Sequence, residues 1–145
     1  MKKILVIHGP NLNLLGTRET NIYGNRTLDD INSMLSDYAA SLGLEIVTFQ
    51  SNHEGEIVQK IQDTKKDNVS AFLINPAAYT HTSVAIRDAI SAVDVPAIEI
   101  HLSNIYAREE FRKTSLISSV AVGVISGFGP EGYCFGLKAA AEIIK

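Results

Sequence analysis

Five short runs of apolar, largely β-branched residues recur along the chain, at Ile4 to Ile7, Leu44 to Phe49, Val69 to Ile74, Val95 to Ile100 and Val120 to Ile125. Uninterrupted runs of this kind suit strands buried on both faces. Between them lie amphipathic helical patterns, clearest in Leu28, Ile31, Met34, Leu35, Tyr38 and Leu42, and again in Ile57, Val58 and Ile61. Thr27 and Ser51 stand where N-caps belong, Ser51 opening an S-x-x-E capping box with Glu54, and Gly43 follows the first helix as a stop. Strands alternating with helices predict a parallel sheet covered on both faces, because each parallel crossover needs a long, usually helical connection. The expected fold is α/β, a flavodoxin-like doubly wound five-stranded parallel sheet, with residues 1–145 forming a single domain.

Composition narrows the function. With 46% apolar and 20% charged residues the chain is globular. Thirteen Lys plus Arg against sixteen Asp plus Glu give a net charge of -3, without the basic excess of a nucleic-acid binder. The single cysteine, Cys134, can form no intrachain disulfide and no CxxC motif, which fits a reducing compartment. The apolar run near the start is too short for a signal peptide, and no stretch approaches the ~18 apolar residues of a membrane span. A cytoplasmic protein with no membrane and no nucleic-acid partner is expected.

In open α/β sheets ligands bind beyond the carboxyl ends of the strands. There the first run is followed by HGPNLNLLGTRETNIYG, residues 8–24, the third by NPAAYTHTS, residues 75–83, and the fourth by Glu99, His101, Ser103 and Asn104. Connections beyond ~12 residues in compact domains are commonly lids or binding loops, and the first of these qualifies. Three of the four histidines, His8, His81 and His101, fall at this edge. His8 reads most simply as a satisfied polar strand terminus. His101 does not, because Glu99 lies two residues before it and on a strand projects from the same face, where a carboxylate orients and charges an imidazole. Arg18 and Tyr23 share the first loop, and a guanidinium held near a phenol stabilises the phenolate, so a tyrosine there can act as a base. Arg112, in REEFRKTS, reads either as a surface residue or as a carboxylate clamp, and the Ser103–Asn104 turn either as a simple cap or as a backbone anion cradle.

Several mechanisms fail on context. GFGPEG, residues 127–132, matches G-x-G-x-x-G, but it follows the last strand and leaves no room for the acid expected ~20 residues on. It reads as a turn feeding the C-terminal helix, which weakens the alternative of a non-catalytic nucleotide- or flavin-binding module. The histidines at the edge lack ligand-type local spacing, so no metal is expected. All eight lysines lie at the start of the first strand or on helical segments, which argues against a Schiff base. What remains is an acid/base site free of metal and cofactor, with arginines for an anion.

The segments GPNLNLLGTRETNIYG, INPAAYTHTSVAIRDA, EIHLSN, REEFRKTS and GVISGFGPEGY closely resemble the type II 3-dehydroquinate dehydratases, in order and nearly end to end. The resemblance implies dehydration of 3-dehydroquinate to 3-dehydroshikimate, through an enolate and with no cofactor, in a homododecamer built from trimers. By the same resemblance, Tyr23 is the base at C2, Arg18 activates it and closes with the lid, and Asn11 holds a water at the enolate oxygen. His101, oriented by Glu99, protonates the departing hydroxyl. Asn75, His81 and Arg112 contact substrate hydroxyls, the Leu102 and Ser103 amides cradle the carboxylate, and Asp88 reaches across the trimer interface. Two positions depart from the family pattern: Thr20 stands where a proline is usual, which bears on lid stiffness rather than chemistry, and Arg112-Lys113-Thr114 lacks the histidines often found after that arginine.

Overall fold

The computed structural model describes residues 1–17 and 19–145. Its elements run β1 (Lys2–His8), α1 (Thr20–Tyr23), α2 (Leu28–Ser41), β2 (Leu44–Gln50), α3 (Glu54–Gln62), β3 (Val69–Asn75), α4 (Val84–Ala92), β4 (Ala97–His101), β5 (Gly123–Ser126) and α5 (Glu131–Ile143). The strands form one parallel sheet in the order β2-β1-β3-β4-β5. This is the expected doubly wound α/β arrangement, and its order reverses between β1 and β3, where a crevice opens at the carboxyl ends.

Strand alternation divides the core in two. Ile4 and Val6, Ala71 and Leu73, and Ile98 and Ile100 pack with Ile31, Leu35, Tyr133 and Leu137, so α2 and α5 cover one face. Leu5 and Ile7, Phe72 and Ile74, and Ala97 pack with Ile57, Ile61, Ile86 and Ile90, so α3 and α4 cover the other. The β1 residues Ile4 to Ile7 are almost wholly buried, as a strand covered on both sides requires. β5 departs from that expectation. It starts at Gly123 rather than Val120, since residues 118–120 form a 3-10 turn, and as a short edge strand it leaves Val124 exposed.

The helix boundaries were half legible. Thr27 caps α2 as expected, its hydroxyl accepting from the Asp30 amide at 3.1 Å while the Asp30 carboxylate accepts from the Thr27 amide at 3.0 Å. Gly43 ends the same helix at φ 70°, in the left-handed region glycine favours. The Ser51–Glu54 box is not formed. The Ser51 amide still donates to the His8 carbonyl at 3.1 Å, so Ser51 prolongs the β2 ladder and sits too early to cap α3, whose N-cap is His53. Its hydroxyl instead accepts from the His53 amide at 2.9 Å and donates to the Glu56 carboxylate.

Candidate active site

The first connection reaches its cavity by a tight path. The Gly9 amide donates to the Asn75 carbonyl at 2.8 Å, and a Cβ on Gly9 would stand 2.7 Å from the Pro76 carbonyl oxygen. Only glycine lets β1 turn that close to β3. The chain then passes through a left-handed Asn11 at φ 69°, a 3-10 turn at Leu12–Leu14, and α1, which lies inside the stretch expected to be irregular. Asn11, Tyr23, Asn75, His81, His101, Leu102, Ser103 and Arg112 all line one cavity at the carboxyl ends of β1, β3 and β4. Arg18 lies outside the described residues. Asp88 is on the exposed surface of α4, paired with Arg87 at 3.0 Å, and does not line this chain's cavity.

His101 enters from the α3/α4 face. Its Nε2 hydrogen-bonds the Glu99 carboxylate, which is wholly buried, so the spacing of two does place the pair on one face. Ser118 donates to Glu99 at 2.8 Å, and Ser115 donates to its two oxygens at 3.1 and 3.0 Å. Ser115 can do so because its own oxygen accepts the Ile117 and Ser118 amides, both at 3.1 Å. Burial alone pushes the Glu99 carboxyl up. The bond and charge of His101, with the Ser118 and Ser115 hydroxyls, outweigh it and hold the group below the ordinary carboxylate range. With Nε2–H spent on Glu99, Nδ1 is the nitrogen left to exchange a proton with a ligand.

Tyr23 packs against the opposite, α2/α5 core. Its hydroxyl oxygen accepts from Arg108 Nη1 at 2.8 Å, and the guanidinium carbon stands 5.4 Å from the ring centroid. Sequence reasoning missed Arg108, although it opens the REEFRKTS block. No local pattern marks it, because Arg108 has extended backbone between two 3-10 turns and shares no helix with Arg112. Arg112 bonds Glu109 at 3.2 and 3.3 Å, from the 3-10 turn Glu110–Lys113 rather than a longer helix. His81 donates from Nδ1 to the Thr114 carbonyl at 2.8 Å. Among the described residues Arg108, Arg112, His81 and His101 line the cavity and no carboxylate does, so the site suits an anion.

The Ser103–Asn104 turn is a cap, the first of its two readings, and its backbone orientation is compatible with the second. Asn104 is a simple cap, accepting the Tyr106 amide at 3.1 Å. The carbonyls of His101 and Leu102 accept from the Gly127 and Gly129 amides at 3.3 and 2.9 Å. In a planar trans peptide N–H and C=O point opposite ways, so the Leu102 and Ser103 amides point away from that loop, and both residues line the cavity. GFGPEG is therefore the backstop of this pair, with Gly127 and Gly129 at φ 100° and 62°, and it feeds α5 as the sequence implied. It builds no dinucleotide fold.

His8 is at the edge but not in the cavity. It is wholly buried on the α2/α5 face, with Nδ1 2.9 Å from the Tyr133 hydroxyl and Nε2 2.9 Å from Asn32 Oδ1. Burial depresses its pKa to about 4, against the opposing hydrogen bond of Asn32. Between about 6.5 and that value the unfolded chain binds a proton that the native His8 refuses, so stability falls as pH falls through this window. Urea denaturation from pH 7 to 4.5 is expected to show a loss of roughly 2 kcal/mol, flattened in His8→Gln. An equal slope in both proteins would contradict the neutral assignment.

The family model described as dehydroquinase class II matches residues 2–141. A 3-dehydroquinate dehydratase of Geotalea daltonii is 58% identical over 143 residues, 99% of each chain. One from Legionella pneumophila is 53% identical over 145 residues, the whole of both. The crystal structure of the type II dehydroquinase from Butyrivibrio crossotus superposes with a TM-score of 0.94 at 46% identity, covering 96% of this chain and 97% of that one. Matches of this extent leave one conclusion about descent: the chain belongs to the class II dehydroquinase family.

Proposed function

We propose that the chain dehydrates 3-dehydroquinate, the reaction its relatives' names denote, to give 3-dehydroshikimate in the shikimate pathway, and that residues 1–145 act as one catalytic domain. The observation that carries this reading is one anion-friendly cavity with a phenol held by Arg108 on one side and an imidazole held by Glu99 on the other. The ketone acidifies the C2 proton. Tyr23, as phenolate, takes that proton, and the electron pair moves into the carbonyl to give an enolate, whose oxygen a water held by Asn11 stabilises. The enolate then collapses, the C1–O bond breaks, and the departing hydroxyl takes a proton from His101 to leave as water. Solvent returns the proton from Tyr23 to His101. Because Tyr23 and His101 belong to opposite layers, abstraction and protonation act on opposite sides of a ligand lying between them, which fits an anti elimination.

Leu102 and Ser103 amides hold the carboxylate, and Asn75, His81 and Arg112 the hydroxyls. Arg18 joins Tyr23 on lid closure. Asp88, exposed here, completes a neighbour's site in a homododecamer of trimers, and the enzyme works in the cytoplasm. No helix among the described residues is long and apolar enough to cross a membrane.

Arg108 adds a second guanidinium to the base. A charge-assisted N–H···O bond favours the anionic form of its acceptor. Arg108→Met is expected to lower kcat by on the order of tenfold to a hundredfold, with partial recovery in Arg108→Lys. Steady-state kinetics within threefold of the parent would remove Arg108 from the mechanism. The function itself is tested by incubating purified protein with 3-dehydroquinate and following the absorbance of the conjugated enone. Turnover that survives chelator and borohydride is expected, and none at all would overturn the reading. Light scattering on the same protein tests the assembly.

A further inference from the structure

Behind Asn75 runs a line of buried polar side chains, of which Asn75 alone lines the active-site cavity among the described residues. His8 and Asn75 are partners in the β1/β3 register, and both meet the Tyr133 hydroxyl from α5, at 2.9 and 3.2 Å. Tyr133 is wholly buried and Asn75 only 3% exposed. Polar groups so placed in an apolar sheet face cost stability unless each finds a partner.

The partners fix every proton. The Ala77 amide donates to Asn75 Oδ1 at 3.1 Å, so the amide oxygen faces that turn and Nδ2 faces Tyr133, which pins the other end. The Tyr133 oxygen therefore accepts from Asn75, and its own proton goes to His8 Nδ1. His8 must then carry its hydrogen on Nε2, where Asn32 Oδ1 accepts it. Donation runs one way, from Asn75 to Tyr133 to His8 to Asn32. Burial keeps the Tyr133 hydroxyl protonated and His8 neutral, so the order does not change near neutral pH. Asn75 is left with one unspent N–H and lines the cavity.

We propose that Tyr133 is a positioning residue for substrate binding: its hydroxyl locks the Asn75 amide so that Asn75 meets the ligand only as a donor, and thereby selects an oxygen acceptor at that end of the site. The inference rests on the reading that Asn75 touches the substrate. A contact made equally in ground and transition states appears in KM and not in kcat.

The test is a double-mutant cycle with 3-dehydroquinate. Asn75→Ala and Tyr133→Phe are each expected to raise KM, Tyr133→Phe by roughly tenfold with kcat changed less than about threefold. In the Asn75→Ala background Tyr133→Phe is expected to add nothing, because the residue it positions is gone. A purely structural tyrosine would give the same factor in both backgrounds, and that result overturns the relay. Unchanged KM in Asn75→Ala overturns the substrate contact and the relay with it. If Tyr133→Phe does not fold, Asn32→Ala takes its place at the partly exposed far end, freeing His8 to move its proton to Nδ1. A KM rise of about two- to threefold that vanishes in the Asn75→Ala background supports the relay, while no rise or an additive one overturns it.

Discussion

Tyr23→Phe is expected to fold as the parent does and to lose kcat by on the order of a hundred- to ten-thousand-fold, the worth of a positioned proton acceptor. The change removes one oxygen and keeps the ring that packs on the α2/α5 core. Affinity for a non-reacting carboxylate analogue is expected to survive, since the proposed holders of the carboxylate are the backbone amides of Leu102 and Ser103, which line the cavity, and not the phenol. Calorimetric titration beside steady-state assays separates the two. Activity within a few-fold of the parent would sink the assignment of the base.

His101→Asn is expected to lose kcat on the same scale, but with a different residue of chemistry left behind. With Tyr23 intact, proton removal at C2 can proceed while the hydroxyl cannot leave. In deuterated water, NMR is expected to show C2 exchange continuing in His101→Asn and abolished in Tyr23→Phe. The reverse pattern would exchange the two roles. Glu99→Gln keeps the shape of the buried pair but gives up the charge-assisted bonds that hold its carboxyl below the ordinary range, so some loss of stability at neutral pH is expected. A fall in kcat of about tenfold to a hundredfold in protein that still folds would mark Glu99 as orienting His101. Full activity would show that the carboxylate is dispensable.

What could be read from the residues divides along a physical line. Local alternation was legible, so the Glu99–His101 pair, the covered strands and the Thr27 cap were all visible in advance. So was the failure of GFGPEG to build a dinucleotide site, which needs only its position in the order of elements. Contacts closed over long stretches of chain were not. Arg108 meets Tyr23 from 85 residues away, and nothing local at either position announces the pairing. The Ser115 and Ser118 hydroxyls on Glu99, and Tyr133 behind Asn75, are distant partners of the same sort. Ser51 misled for another reason: the motif S-x-x-E was present, but the ladder with His8 held the residue in the strand and shifted the helix start past it.

The division of the sheet into two independent layers carries a stereochemical consequence. His101 and Glu99 look toward α3 and α4, and Tyr23 is braced by α2 and α5, so the proposed acid and base stand on opposite banks only because of the parity of β4. A strand has no intermediate setting: one residue inserted or deleted upstream of Glu99 within β4 would turn both side chains toward α2 and α5. Acid and base would then share a bank, and a ligand between them could lose proton and hydroxyl only from the same side. On the proposed roles, the handedness of the elimination is set by an odd or even count along five residues of backbone, from Ala97 to His101.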